Sequence, residues 1–129
     1  PELSKNILAC IMHTMEQTED FCDSDFGIER LAEKAGTNSR YTSVVINDVF
    51  GKNFRSLLNE YRIKEAMRRM MDEETYGMLT IKAISESVGY KSQSNFISVF
   101  TKLTGIKPSM FQKLSREEKE RALNGQTAK

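Results

Sequence analysis

With 129 residues, 39% of them hydrophobic and 29% charged, the chain has material for one domain or two very small ones around a modest core. That argues against disorder and excludes separate catalytic and binding domains. A net charge of +1 does not by itself select a polyanionic partner. No run approaches the roughly 18 apolar residues of a membrane span and no secretion-signal core opens the chain, so the expectation is a cytoplasmic protein with no membrane partner.

Apolar residues recur at helical spacing almost throughout, and the two prolines stand at Pro1 and Pro108, so the chain is expected to be all-α. A first helix is predicted from Ser4 to about Thr18, with Ile7, Leu8, Ile11, Met12 and Met15 on one face. The acidic stretch TEDFCDSDFG then reads as a loop. A short helix follows from Gly27 to Ala35, bearing Ile28, Leu31, Ala32 and Ala35, and Gly36 stops it. Asn38 or Ser39 can cap a third helix, whose inner positions are Thr42, Val45, Ile46 and Val49 and whose end is Gly51. The longest pattern, Phe54 to Met71, lacks Gly and Pro; DEETYG breaks it.

The order then repeats. Thr80 can cap a helix bearing Ile81, Ile84 and Val88, which Gly89 stops; Ser92 can cap the next, which carries Phe96, Val99, Phe100 and Leu103 up to Gly105. Gly36 to Gly51 is 15 positions and Gly89 to Gly105 is 16, so one supersecondary unit is present twice. Pro108 suits the first turn of a closing helix, and a charged extension is expected to fray into QTAK. The chain opens at Pro1 rather than Met, as a fragment of a longer protein would.

Two helices joined by a short Gly-opened turn form a helix-turn-helix, whose second helix fits the major groove of DNA, about 12 Å wide. In YKSQSNF, residues 90–96, Gln93, Ser94 and Asn95 occupy the first turn, Phe96 turns inward, and Ser98 shares the outer face. Gln and Asn can pair in two-pronged fashion with adenine, while Lys91 and Lys102 stand at the helix ends, where phosphates pass. The charge pattern agrees. Residues 1–36 carry three bases against eight acids, whereas residues 52–71 carry six against two and residues 80–114 five against one. A capped helix with a solvated face would read alike from composition, but the duplication and the nearby basic charge favour recognition.

The stretch TIKAISESVGYKSQSNFISVFTKLTGIKPSMFQK resembles the DNA-binding domain of the AraC/XylS family of bacterial transcription regulators. It follows the family pattern I-A-x-x-V-G-F/Y, then S-x-x-F, then F-K/T-K, then G-x-x-P-x-x-F/Y, and the resemblance spans roughly Ser4 to Leu114. It implies a seven-helix, homeodomain-like domain: a first helix-turn-helix subdomain at 1–53, a linker helix at 54–73, a second subdomain at 74–114 and an extension at 115–129. Its recognition helices would enter successive major grooves about 34 Å apart, and the rigidity of the linker helix would set whether both dock together or the DNA must bend.

By position, the resemblance assigns Gln93, Ser94, Asn95 and Ser98 to bases from the second recognition helix, and Arg40, Ser43, Val44 and Asn47 from the first. Ser39, Lys52, Lys91, Ser92, Lys102 and Lys107 fall to the DNA backbone. The first helix departs from the family at Thr42, Val44, Ile46 and Asn47. Val44 cannot hydrogen-bond a base, though it can touch a thymine methyl, so Arg40 is its best contact. Tyr61, Arg62 and Ala66 match family positions that look structural. Sensing and dimerisation would belong to an effector domain absent from this chain.

Other chemistry is weaker. Cys10, His13 and Cys22 could be imagined as metal ligands or as a nucleophile with its base, but a fourth ligand is lacking, and reduced, unpaired thiols are expected. The acidic runs lack calcium-loop spacing, and no phosphate-binding glycine loop or nucleophile elbow is present. Met67, Met70 and Met71 read as core filler. No catalysis, metal or cofactor is expected. The alternative function is a protein-interaction module docking RNA polymerase or another regulator domain, favoured by the acidic first 36 residues and by a first recognition helix without net charge.

Overall fold

The computed structural model describes residues 2–128, with side chains to Gly125. Among these residues there are eight α-helices, one 3₁₀ turn at Asp20–Cys22 and no strand. The helices are α1 (Glu2–Gln17), α2 (Ile28–Lys34), α3 (Ser39–Phe50), α4 (Phe54–Met71), α5 (Glu73–Tyr76), α6 (Ile81–Ser87), α7 (Gln93–Thr104) and α8 (Pro108–Ala128). The chain divides into two compact units, Pro1–Arg62 with Ser87–Gly89, and Ile63–Glu86 with Tyr90–Lys129.

In the first unit, α2 packs on α3 and both pack on α1. Ile7, Ile11, Met15, Phe21, Phe26, Leu31, Val45, Ile46, Leu57 and Leu58 form one buried cluster, the feature that holds α3 in place. The α4 residues Tyr61 and Arg62 tie this core to the acidic loop. Arg62 is buried and donates through Nε to the Phe21 carbonyl at 2.7 Å and through Nη2 to the Asp23 carbonyl at 2.8 Å. A guanidinium suits this place because its planar fork reaches two carbonyls at once, of which that of Asp23 also accepts from the Phe26 N–H at 3.0 Å. The Tyr61 hydroxyl donates to Glu16, and burial, aided by that carboxylate, pushes its pKa up to about 12.

In the second unit an aromatic series carries the core. Tyr90 meets Phe96 edge-on at 5.3 Å between ring centres, Phe96 lies 5.7 Å from Phe100, and Phe100 meets Phe111 of α8 at 5.8 Å. Glu65 of α4 accepts from both Arg68 and Arg69 at 2.7 Å, and the Arg69 guanidinium lies over the Tyr76 ring.

Several sequence expectations need correcting. An eighth helix is present because Asp72 caps Glu73–Tyr76, accepting from the Thr75 N–H, where an acidic break was expected. The closing helix runs on through the charged extension to Ala128, where fraying into QTAK was expected; Lys119 donates to the Met71 carbonyl at the end of α4, and Arg116 faces Glu73. Lys129, the last residue of the expected QTAK tail, lies outside the described residues. Met12, Val49 and Leu103, expected inside, are exposed: Met12 sits at the edge of its helix's apolar stripe, and Val49 and Leu103 fall in the last turns of α3 and α7.

Candidate functional site

The two helix-turn-helix copies share their local hydrogen bonds, not only their residue pattern. After α2, Gly36 takes φ 70° and the Thr37 N–H donates to the Ala32 carbonyl at 3.0 Å; after α6, Gly89 takes φ 106° and the Tyr90 N–H donates to the Ser85 carbonyl at 3.0 Å. A positive-φ glycine with this return bond ends a helix by satisfying a carbonyl that has no partner within it. Each second helix then starts on a side-chain cap. Asn38 Oδ1 accepts from the Tyr41 N–H at 2.9 Å, and Ser92 Oγ accepts from the Asn95 N–H at 3.2 Å. Gly51 and Gly105 close the two helices, again at positive φ.

The first turns of α7 separate polar from apolar side chains. Phe96 and Phe100 are fully buried, while Lys91, Ser92, Gln93, Ser94, Asn95, Ser98 and Lys102 are all exposed. One helix face therefore presents amide and hydroxyl groups in its first turns with a lysine at each end. Ser92 and Ser94 share a hydrogen bond between their hydroxyls at 2.9 Å, so Ser92 serves as cap and as neighbour to the outer row. Lys107 is exposed just ahead of α8.

On α3 the face differs. Arg40 and Asn47 are exposed and Val44 is 52% exposed, whereas Ser39 and Ser43 are half-buried. The Asn47 amide donates to the Ser43 carbonyl at 2.8 Å, which engages one of its two N–H groups and leaves the other and Oδ1 for a base. Lys52 is also committed: its ammonium reaches Glu60 at 2.6 Å, an ion pair across eight residues and a turn. Tyr41, not among the residues singled out by sequence, is 52% exposed one turn before Val44. Its signal was available in the capping register, where it occupies the place of Asn95.

The acidic first unit uses part of its charge internally. Asp20 meets Lys34 and Asp23 meets Arg30, each at 2.8 Å. Lys34 and Arg30 respectively hold these carboxyls below the usual carboxylate range. Cys10 and Cys22 are not joined in a disulfide, and among the described residues no group of three His, Cys, Asp or Glu side chains is placed to hold a metal. No helix among them is long and apolar enough to cross a membrane.

The helix-turn-helix domain family model matches residues 31–114, from within α2 of the first copy to the end of the second. The chain belongs to the AraC-type helix-turn-helix family of transcription regulators. It is 27% identical over 114 residues to the Bacillus subtilis (strain 168) protein described as an uncharacterized HTH-type transcriptional regulator, YtdP, covering 88% of this chain and 13% of that one. Across its curated relatives the chain spans 13 to 40% of their length. Among solved structures, the C-terminal domain of the two-component response regulator yesN from Fusobacterium nucleatum has a TM-score of 0.69 at 27% identity, covering 83% of this chain and 98% of that domain. The DNA-binding domain of AdpA, solved in complex with a target DNA, shares the fold at a TM-score of 0.74 and 16% identity, covering 89% of this chain and 96% of that one.

Proposed function

We propose that this AraC-type chain is the sequence-specific, double-stranded DNA-binding module of a bacterial transcription regulator, and that it catalyses no reaction. The observation that carries the reading is the exposed run Gln93, Ser94 and Asn95 at the capped start of α7, with Ser98 one turn on and the aromatic anchors Phe96 and Phe100 buried behind it. Those side chains are short, can both donate and accept, and stand on a helix of groove width. In this reading α3 and α7 enter successive major grooves, with Arg40, Ser43, Val44 and Asn47 facing bases from α3. Ser39, Lys91, Ser92, Lys102 and Lys107 line the backbone, and Lys52 reaches it only by leaving Glu60. Support also comes from AdpA, a protein of the same fold with a domain seen on its target DNA.

The protein-docking alternative, which would bring RNA polymerase or another regulator domain to the chain, rests on the acid of residues 1–36. Asp20 and Asp23 are already partnered by Lys34 and Arg30, which weakens it. Sensing and dimerisation belong, in this reading, to an effector domain elsewhere in the full-length protein.

The test is a titration of the chain against a duplex selected from a random pool and against random duplex, at several salt concentrations. Gln93→Ala should weaken the selected duplex by about tenfold or more and random duplex little; Lys102→Ala should weaken both alike and lower the salt slope by about 1. Equal losses on both duplexes for Gln93→Ala would remove its role in base readout.

A further inference from the structure

The shared caps fix which residues of α3 and α7 correspond. Asn38 receives the Tyr41 N–H as Ser92 receives the Asn95 N–H, so position 41 matches 95 and, one turn on, 44 matches 98. Where α7 presents Asn95 and Ser98, α3 presents a phenol ring and an isopropyl group, each 52% exposed. Their exposure is not a failure of packing, because Thr42, Val45 and Ile46 between and beside them already fill the core. Hydrogen bonding on this face is meanwhile reduced, since the Asn47 amide is engaged by the Ser43 carbonyl. Asp48 is exposed in the place where α7 has Lys102, so the end of α3 has lost a phosphate anchor and gained a charge that repels one. With one Asn47 N–H held by the Ser43 carbonyl and Asp48 at its end, this helix is best equipped in its first half, where Arg40, Tyr41 and Val44 are exposed.

Only one base-edge group in the major groove is apolar: the 5-methyl of thymine. Resting on the reading of α3 as a major-groove helix, we infer that Tyr41 and Val44 together form a contact for thymine methyl groups. The half-site under α3 is then read by apolar contact, while the one under α7 is read by hydrogen bonds. Tyr41 becomes a specificity-determining residue, and Arg40 beside it supplies the charge that holds the helix to the duplex.

The test uses the unaltered chain and its selected duplex, with thymines replaced one at a time by deoxyuridine, which removes the methyl and nothing else. At one or two thymines in a single half-site, affinity should fall about three- to fivefold, as expected for losing one buried methyl-sized contact. That loss should vanish in the double variant Tyr41→Asn, Val44→Ser, which copies the α7 pattern at two exposed positions and should keep the circular dichroism of the parent. Full affinity for every deoxyuridine duplex overturns the methyl contact while leaving DNA binding intact. Binding of no duplex at all overturns the DNA-binding reading with it. A double variant that binds the selected duplex as tightly as the parent overturns the assignment and leaves the face to a protein partner.

Discussion

A Cβ built on Gly89 would lie 2.8 Å from Arg62 Nε and 2.9 Å from its Cζ and Nη2, and the backbone there already sits at φ 106°. Gly36, at the matching turn of the first copy, also has positive φ but no atom within 4 Å of such a Cβ. Strain alone therefore acts at Gly36, and strain plus collision with a buried, doubly bonded guanidinium at Gly89. Gly36→Ala should cost about 1 kcal/mol and Gly89→Ala about 3 kcal/mol in urea unfolding. Glu65 sets a different dependence. Arg68, with Arg69 beside it, holds its carboxyl below the ordinary value of 4.5 against the opposing effect of burial. A carboxyl depressed in the folded state contributes stability above its unfolded value and loses it as pH falls through the lowered one. Glu65→Gln should therefore destabilise the chain at pH 7 and make its stability fall less steeply below about pH 4.5 than that of the parent. Equal acid sensitivity of the two proteins would remove Glu65 from that account.

At the scale of the helix, stability and presentation come from the same groups. Ser92 and Asn38 each satisfy a backbone donor that no helical carbonyl can reach, so Ser92→Ala and Asn38→Ala should each lower stability by about 1 kcal/mol, read from thermal melts. The boundaries of α2, α3, α6 and α7 were legible in the sequence because Gly punctuates their ends, a polar cap opens α3 and α7, and one apolar stripe runs between. The α7 face was legible for the same reason, since once Phe96 and Phe100 point inward, the helical period sends Gln93, Ser94, Asn95 and Ser98 outward. Two elements were hidden. The turn α5 is made by its cap alone, in an acidic run with no apolar period to announce it. The second half of α8 has a weak apolar stripe, and its bond from Lys119 to the end of α4 joins residues 48 positions apart. The Lys52–Glu60 ion pair was hidden for a similar reason, because Glu60 lies across a turn that breaks helical spacing.

Over the whole molecule the net charge of +1 conceals an acidic start and basic later segments, so salt dependence is a property of particular lysines and not of the total. The division into units is also not a simple cut. The first takes Ser87–Gly89 from far along the sequence, next to the Arg62 side chain that holds the Phe21 and Asp23 carbonyls. A fragment of residues 1–62 lacks that strip, and its melting temperature, followed by circular dichroism, should fall below that of the full chain by several degrees, as expected for about 1–2 kcal/mol in so small a domain. An equal or higher melting temperature would show that the strip adds nothing.

The outward row of short polar side chains on α7, set over the buried Phe96 and Phe100, has an evolutionary consequence. Replacements at solvent-facing helix positions usually change stability by no more than about 0.5 kcal/mol, whereas losing Phe96 or Phe100 would cost several times that. A lineage can thus rewrite the letters it offers to the outside, one at a time, without passing through an unfolded ancestor.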